Sequence, residues 1–162
     1  TTLFRSKEER ESFSKEICRK LIPYIEGKRI FSYCPFSDEA DVSMINRYFK
    51  AALPVIKTDH IMEAYIPEEN LLIENRYGIK EPDPLHSLFM QKEDIDVILI
   101  PCLAFNKDKY RLGYGGGYYD CYLKESQALK IGIAFEIQKS DENFQEDHDI
   151  RLDLIVTEKD TY

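Results

Sequence analysis

Long hydrophobic runs are absent from this sequence. Its longest apolar stretch is the nine residues 97–105, which Pro101 interrupts, whereas a membrane-spanning helix needs about 18 or more apolar residues. The first residues, which begin Thr1-Thr2-Leu3, also lack an apolar core of signal-peptide length. We therefore expect a cytoplasmic protein with no membrane partner.

Cysteine and histidine are too sparse for a zinc site or a disulfide framework. The cysteines Cys18, Cys34, Cys102 and Cys121 form no Cys-x-x-Cys pair, and the three histidines stand far apart. This usage is typical of a reducing compartment. If the protein uses a metal, we expect a hard cation held by carboxylates.

Positive charge is also scarce. The chain has 22 lysines and arginines against 30 aspartates and glutamates, which gives a formal net charge of −8. Such a chain has no general attraction for nucleic acid, and no basic aromatic segment of the RNA-recognition type is present. We expect a monomer that acts on small molecules, with any anionic ligand bound at a local exception to the overall charge.

The first part of the chain has two helical patterns. A capping box at Ser6 to Glu9 predicts the start of a long helix that ends before Gly27. A second helix is predicted to follow a cap at Asp41 or Ser43. The apolar positions expected to face the core are Phe13, Ile17, Leu21 and Ile25 in the first helix and Ile45, Tyr48 and Phe49 in the second.

Strand patterns occupy most of the remaining chain. The segment 96–101 is apolar on both faces, as expected of a central parallel strand covered by helices on each side. The segment 75–84 is dense in turn residues and predicts a loop. The other predicted strands are 29–34, 53–57, 60–66, 130–135 and 152–157. The alternation predicts one α/β domain over residues 1–162, a three-layer α/β/α sandwich with a largely parallel, mixed central sheet.

A glycine-rich segment directly follows the predicted central strand. Four of the seven glycines lie between positions 113 and 117, where the carboxyl ends of parallel strands collect ligands. Successive backbone N–H groups of such a loop converge on a phosphate, and Arg111 offers a planar fork for its oxygens. A helix over 117–125 would favour the same anion, and Asp120 in its first turn is a candidate Mg²⁺ ligand.

The residues alone leave a second interpretation open. The segment contains neither a P-loop nor a complete dinucleotide fingerprint. It is therefore equally compatible with a surface turn whose flanking tyrosines pack on the core.

The same segment carries a family resemblance. Ala104-Phe105-Asn106, followed by the run from Arg111 to Asp120, resembles the signature of 5-formyltetrahydrofolate cyclo-ligase, also called methenyltetrahydrofolate synthetase. Further family features occur in order at 38–41, 54–55, 77–82 and 148–153, so that the resemblance spans nearly the whole chain.

The resemblance implies an ATP- and Mg²⁺-dependent ring closure. 5-Formyltetrahydrofolate would be converted to 5,10-methenyltetrahydrofolate with release of ADP and phosphate. The γ-phosphoryl group of ATP would be transferred to the formyl oxygen, N10 would attack the activated carbon, and phosphate would leave. Such chemistry needs positioning and charge stabilisation rather than a covalent nucleophile.

The resemblance also implies roles for individual residues. Arg111 and Tyr118 would be catalytic, Asp120 and Asp153 would hold Mg²⁺, and Glu39 would accept hydrogen bonds from pterin N–H groups. The implied ATP-binding residues are Arg111, Leu112, Gly113, Tyr114, Gly115, Gly116, Gly117, Tyr118 and Tyr119. The implied folate-binding residues are Cys34, Glu39, Tyr114, Gly115, Gly116, Gly117 and Tyr118, with Cys34 as part of the pocket wall.

General chemistry offers other readings of some of these residues. Asp153 taken alone is a solvated carboxylate at a strand edge, and Glu39 would also be favoured near the start of the second helix. Tyr118 and Tyr119 would also serve to pack the helix onto the sheet. His148 is interpreted as a surface histidine and is not included in the site.

The N-terminal segment departs from the family pattern. Members carry a Lys-x-x-x-Arg pair that contacts ATP, and this sequence has only five residues before Ser6. Arg5 or Lys7 is the nearest replacement. The alternative function is therefore a folate-binding regulatory homologue with weak or no turnover, and a sugar-phosphate isomerase or acyltransferase on a similar scaffold is a third possibility.

Overall fold

The computed structural model describes residues 6–58 and 60–162. Arg5, named above as a replacement cation, lies outside the described residues. The helices are α1 (Lys7–Ile25), α2 (Ser43–Tyr48) and α3 (Tyr118–Leu123). The strands are β1 (Ile30–Phe31), β2 (Leu53–Thr58), β3 (Ile61–Pro67), β4 (Leu72–Glu74), β5 (Lys80–Pro82), β6 (Ser87–Met90), β7 (Val97–Pro101), β8 (Ala104–Asn106), β9 (Arg111–Leu112), β10 (Leu129–Ile133), β11 (Lys139–Ser140) and β12 (Leu154–Val156).

A parallel sheet forms the centre of the fold, in the order β1-β7-β10-β12. A parallel bridge between Phe31 and Ala52 joins the start of β2 to its β1 edge. From there the antiparallel sheet β2-β3-β6 continues outward. The central sheet is therefore largely parallel with an antiparallel extension, as predicted.

Both faces of the central sheet are covered. On β7, Val97 and Leu99 pack in a core with α1 and α2, whereas Ile98 and Ile100 pack in a second core with α3. This alternation is the reason that β7 is apolar at successive positions, since each side chain faces one of two covering layers. The predicted three-layer α/β/α arrangement is confirmed.

The first helix follows its sequence pattern closely. The hydroxyl of Ser6 accepts a hydrogen bond from the N–H of Glu9 at 3.1 Å, which satisfies a free donor of the first turn. The helix ends at Ile25, two residues before Gly27, whose φ of 73° is the left-handed conformation that glycine adopts easily. Ile17, Leu21 and Ile25 are fully buried, so that the predicted apolar stripe is confirmed.

Two local predictions were wrong. The ring of Tyr48 is 82% exposed, because α2 is only six residues long and buries Ile45 and Asn46 instead. The segment 75–84 is not only a loop, since β5 within it pairs with β4 as an antiparallel hairpin. β5 has only three residues, which is too short to show an alternating pattern, and the turn residues around it predict a loop instead.

A small third sheet carries the chain into the glycine-rich segment. β8 pairs with β9 in antiparallel register and with β11 in parallel register. This sheet directly follows β7, so that β9 begins the glycine loop close to the carboxyl end of the central strand. No helix among the described residues is long and apolar enough to cross a membrane.

Gly132 provides a test of how tightly the sheet packs. A Cβ atom at this position would lie 2.7 Å from Leu152 Cδ1 and 3.0 Å from Cys102 Sγ, and both side chains are buried. We expect Gly132→Ala to lower the free energy of unfolding by about 1 to 3 kcal/mol, because the neighbours have no room to move. Urea denaturation measures the change.

Leu152→Ala is the control for this contact. Because it removes the nearest atom, the double variant should lose less stability than the sum of the two single variants. Additive losses would show that Leu152 does not limit the space at Gly132.

Candidate active site

A cavity of about 790 Å³ opens at the carboxyl end of the parallel sheet. Pro101, the last residue of β7, lies in its wall, and Cys34 and Glu39 enter from the segment that follows β1. The glycine loop from Gly113 to Gly117 forms another part of the wall. The topology thus brings residues from distant parts of the sequence to the sheet edge where α/β proteins bind ligands.

Arg111 is fixed by three contacts at this edge. Its Nε donates a hydrogen bond to the carbonyl oxygen of Pro101 at 3.1 Å, and its guanidinium carbon lies 5.1 Å from the ring centroid of Tyr119. Its Nη atoms lie against Gly113, where a Cβ atom would be 2.3 Å from Nη2. Within the described residues these Nη groups donate to no acceptor, so that they are available to an anionic ligand.

At two positions of the loop, the structure explains why the residue is glycine. At Gly113 a Cβ atom would collide with the Arg111 guanidinium group. Gly117 has a φ of 71° and directly precedes α3, so that the chain turns sharply from the loop into the helix. A side chain at either position would displace the loop or strain it.

His60 supports the loop from outside and was missed by the sequence analysis. Its Nδ1 forms a hydrogen bond with the carbonyl oxygen of Gly116, and its ring lies 6.2 Å from the ring of Tyr118. His60 itself has a φ of 66° at the turn between β2 and β3. No local sequence signal connects this turn to a loop more than fifty residues away.

The predicted tyrosines take different positions. Tyr114 is exposed, Tyr118 lies over Gly116, and Tyr119 stacks under Arg111. Burial raises the pKa of Tyr119 well above its ordinary value, so that the phenol stays protonated. Tyr118 and Tyr119 also pack against the core beside α3, so that they both line the cavity and hold the helix on the sheet.

Glu39 lies in the cavity wall on a loop that α1 holds. Arg10 of α1 donates two hydrogen bonds, of 2.8 and 3.2 Å, to the backbone carbonyl of Glu39. One Glu39 carboxylate oxygen accepts the N–H of Phe36 at 2.8 Å. Burial raises the pKa of Glu39 to about 7, although this hydrogen bond and the charges of Arg111 and Arg10 act to lower it.

Cys34 is a wall residue with an unreactive thiol. Burial raises its pKa to about 12, and the charges of Glu81 and Glu39 add to that effect while Lys80 opposes it. A thiol that stays protonated at neutral pH is a poor nucleophile. Its position agrees with the role implied by the family resemblance.

Asp120 meets two residues of the acidic loop 139–149 rather than Asp153. Ligand atoms of Asp120, His148 and Asp149 all lie within 4.8 Å of one another. His148 is therefore not the isolated surface residue that the sequence analysis assumed, and it lines the cavity together with Asp149. The high negative charge of this loop was a visible signal, but nothing in the sequence placed it beside α3.

Asp153 is at the opposite end of the sheet. Its Oδ2 accepts the backbone N–H of Lys130 at 2.8 Å, and Lys130 pairs with Ile98 in β7. Ile98 is three residues before Pro101, which corresponds to about 10 Å along a strand. Asp153 does not line the cavity, which corrects the prediction that it shares a metal ion with Asp120.

The β4-β5 hairpin adds a second carboxylate that the sequence analysis did not single out. Glu81 of β5 lines the cavity and is only 8% exposed. It lies within the motif 77–82 that contributed to the family resemblance, but its burial depends on the short hairpin that was not predicted. The site therefore combines a cationic loop with buried hydrogen-bond acceptors, an arrangement that can hold an anion and a donor-rich ring side by side.

Known proteins resemble this chain over almost its whole length. A model of the 5-formyltetrahydrofolate cyclo-ligase family matches residues 4–158. The 5-formyltetrahydrofolate cyclo-ligase of Mycoplasma pneumoniae is 32% identical over 161 residues, covering 93% of this chain and 88% of that protein. A probable 5-formyltetrahydrofolate cyclo-ligase of Schizosaccharomyces pombe is 31% identical, covering 91% of this chain and 84% of that protein.

Solved structures show the same relationship. The 5,10-methenyltetrahydrofolate synthetase of Aquifex aeolicus superposes with a TM-score of 0.83 at 30% identity, covering 96% of this chain and 83% of that one. The synthetase of Mycoplasma pneumoniae superposes with a TM-score of 0.73 at 28% identity, covering 94% and 89% of the two chains. On the evidence of sequence and fold together, this chain is an enzyme of the 5-formyltetrahydrofolate cyclo-ligase family.

Proposed function

We propose that this protein converts 5-formyltetrahydrofolate to 5,10-methenyltetrahydrofolate in a reaction that consumes ATP and requires Mg²⁺. The observation that carries the proposal is the single cavity that Arg111 and the glycine loop share with Glu39 and Cys34. A cation-bearing loop suits phosphate, and buried acceptors suit the N–H groups of a pterin. One cavity can therefore hold both reactants in contact.

The reaction needs the formyl oxygen to become a leaving group. Transfer of the γ-phosphoryl group to that oxygen breaks the bond to the bridging oxygen of ADP and gives an activated phosphate ester. N10 then attacks the formyl carbon and loses its proton to solvent, the new C–N bond closes the ring, and the C–O bond breaks as phosphate leaves with the formyl oxygen. The protein supplies no covalent nucleophile in this scheme, which agrees with the protonated thiol of Cys34.

Arg111 supplies the charge stabilisation in this scheme. Its Nε is held by Pro101 and its plane by Tyr119, so that the Nη groups are fixed before ligand binds. Donors that are already oriented stabilise the transferring phosphoryl group without reorganisation during the reaction. Tyr118, which lies over the loop at Gly116, would hold the folate against the phosphoryl group.

The residues present fit a magnesium ion at Asp120. Mg²⁺ prefers oxygen ligands and usually takes only one or two carboxylates from the protein, with phosphate and water completing its shell. Asp120 and Asp149 provide two carboxylates at the cavity wall. We assign the ion to this pair, with His148 beside it, whose Nε2 lies 3.4 Å from Oδ1 of Asp149, and the bound ion would neutralise phosphate charge.

A folate-binding homologue without turnover is the second candidate. The observation that favours it is the position of Lys7, which is exposed and pairs with Glu11 at 3.7 Å rather than lining the cavity. Purified protein mixed with 5-formyltetrahydrofolate, with and without MgATP, separates the two functions. Methenyltetrahydrofolate absorbance that rises only with MgATP supports the enzyme, whereas folate binding without product supports the homologue.

The metal assignment predicts different effects for three aspartates. We expect Asp120→Asn and Asp149→Asn each to raise the Mg²⁺ concentration for half-maximal rate by about tenfold or more, because each removes a charged oxygen ligand. Asp153→Asn is the matched control and should leave that concentration unchanged. Initial rates over a magnesium titration give all three values. A raised Mg²⁺ requirement in Asp120→Asn and Asp153→Asn, but not in Asp149→Asn, would return the site to the pair predicted from sequence.

The raised pKa of Glu39 predicts a pH dependence of activity. Below pH 7 the carboxyl becomes protonated and is a weaker acceptor for substrate N–H groups. We therefore expect kcat/KM for the folate to fall as the pH decreases through about 7. In Glu39→Gln the value should be low, with that limb missing from the profile. An unchanged acidic limb in the variant would assign it to another group.

Protonation of Glu39 at lower pH decreases activity but increases the free energy of unfolding. Because the folded state binds this proton more tightly than the unfolded state does, lowering the pH from 7 towards 4.5 stabilises the fold. The gain is about 2 kcal/mol relative to Glu39→Gln, which lacks the titrating group. Urea denaturation of both proteins at several pH values measures this difference.

A further inference from the structure

Glu81 is a buried carboxylate in the cavity wall to which the reaction scheme gives no role. It is the second residue of β5 and is 8% exposed, whereas its neighbour Lys80 on the same strand is exposed. Strand pairing places it opposite Ile73 of β4. Its burial and the hydrogen bond from Ile56 of β2 show that Glu81 faces inward, towards β2, and it lines the cavity together with Lys80.

Among the described residues, hydrogen-bond donors reach only one of its two oxygens. Oε2 accepts the N–H of Ile56 at 3.2 Å and the side-chain amide of Asn75 at 3.0 Å. Within the described residues Oε1 accepts no hydrogen bond, and it is not sealed from solvent as a buried unsatisfied atom would be. An acceptor with this access in the wall of a cavity is positioned to receive a donor from a ligand.

Glu81 also has no cationic partner in the part of the chain that the structure describes. None of the ion pairs found there includes it, although Lys80 lies beside it in the sequence. A carboxylate removed from water without a counter-charge is costly. The cost is offset only when hydrogen-bond donors surround the group, and the protein provides donors to one oxygen alone.

The position of Glu81 relative to Glu39 defines what ligand fits. Cys34 lines the same cavity as both carboxylates, and the charges of Glu81 and Glu39 both raise the pKa of its thiol while Lys80 lowers it. Carboxylates are acceptors only, so that this wall suits a flat ring with several N–H donors along its edge. The 2-amino-4-oxopyrimidine ring of a folate has such an edge, because its amino group and N3–H lie side by side.

We propose that Glu81 is a specificity-determining residue, whose Oε1 accepts a hydrogen bond from an N–H of the 2-amino-4-oxopyrimidine ring of 5-formyltetrahydrofolate. This inference rests on the proposed function. The ring lies between Glu81 and Glu39, with Cys34 as the wall between them. The formyl group at N5 then faces the glycine loop and Arg111, where phosphoryl transfer takes place.

The test is a binding experiment on the full chain without ATP. Calorimetric titration with 5-formyltetrahydrofolate compares the wild type with Glu81→Gln, which keeps the size of the side chain and removes its charge. Glu74→Gln is the matched control, because it makes the same change on the partner strand of the same hairpin at a position that does not line the cavity. A second titration uses 6-methyltetrahydropterin, which keeps the ring and lacks the benzoylglutamate.

We expect Glu81→Gln to weaken the binding of both ligands by about tenfold, since hydrogen bonds to charged acceptors are stronger than neutral ones. Glu74→Gln should bind both as the wild type does. In turnover assays, KM for the folate should rise in Glu81→Gln while KM for MgATP and the thermal midpoint stay close to the wild type, which a merely structural role would not produce.

Three results would overturn the inference. Equal folate affinity in Glu81→Gln and the wild type would show that Oε1 accepts nothing from the ligand. A loss for 5-formyltetrahydrofolate without a loss for 6-methyltetrahydropterin would place Glu81 at the tail rather than at the ring. A wild type that binds neither ligand would refute the inference together with the proposed function. A wild type that binds without turnover would refute the proposed reaction alone.

Discussion

The guanidinium group of Arg111 is the interaction on which the site depends, because it connects the sheet to the glycine loop. One edge donates to the carbonyl of Pro101, the last residue of the central strand, and the plane rests on Tyr119. The other edge lies so close to Gly113 that a side chain there would displace the guanidinium group. The path of the loop is therefore set by a side chain whose position the core fixes, which is how a flexible segment acquires a defined geometry.

The same cation organises the charges of the cavity. Together with the N–H of Phe36 and the charge of Arg10, it acts against the burial that raises the pKa of Glu39. The positive end of the cavity is at the loop, and the acceptors lie along the wall formed by Glu39, Cys34 and Glu81. In a net acidic chain this separation provides a locally positive region where an anionic reactant can bind. The hydrogen-bond acceptors beside it favour a second reactant that carries N–H donors.

The parts of the site that are local in sequence could be predicted, and the parts that depend on long-range packing could not. The apolar run of β7 and the segment from Arg111 to Asp120 are contiguous, so that both the central strand and the loop after it follow from pattern and resemblance. The contact of His60 with Gly116 joins distant segments through a turn without a local signal. For Asp153, the family match gave a role that the strand register contradicts.

The failure at the β4-β5 hairpin has a physical cause that extends to the function. Strands of three residues carry almost no periodic signal, and a glutamate between turn residues is normally assigned to solvent. Glu81 is buried only because Asn75 and the N–H of Ile56 hold one of its oxygens at the wall. Sequence rules fail most often where a charged side chain is buried although it would be more stable in water. Such residues are common at binding sites, where a ligand supplies the hydrogen-bond donor that the protein does not. The proposed role of Glu81 explains why the hairpin keeps a carboxylate at the cavity wall, because the ligand would supply the donor that Oε1 lacks among the described residues.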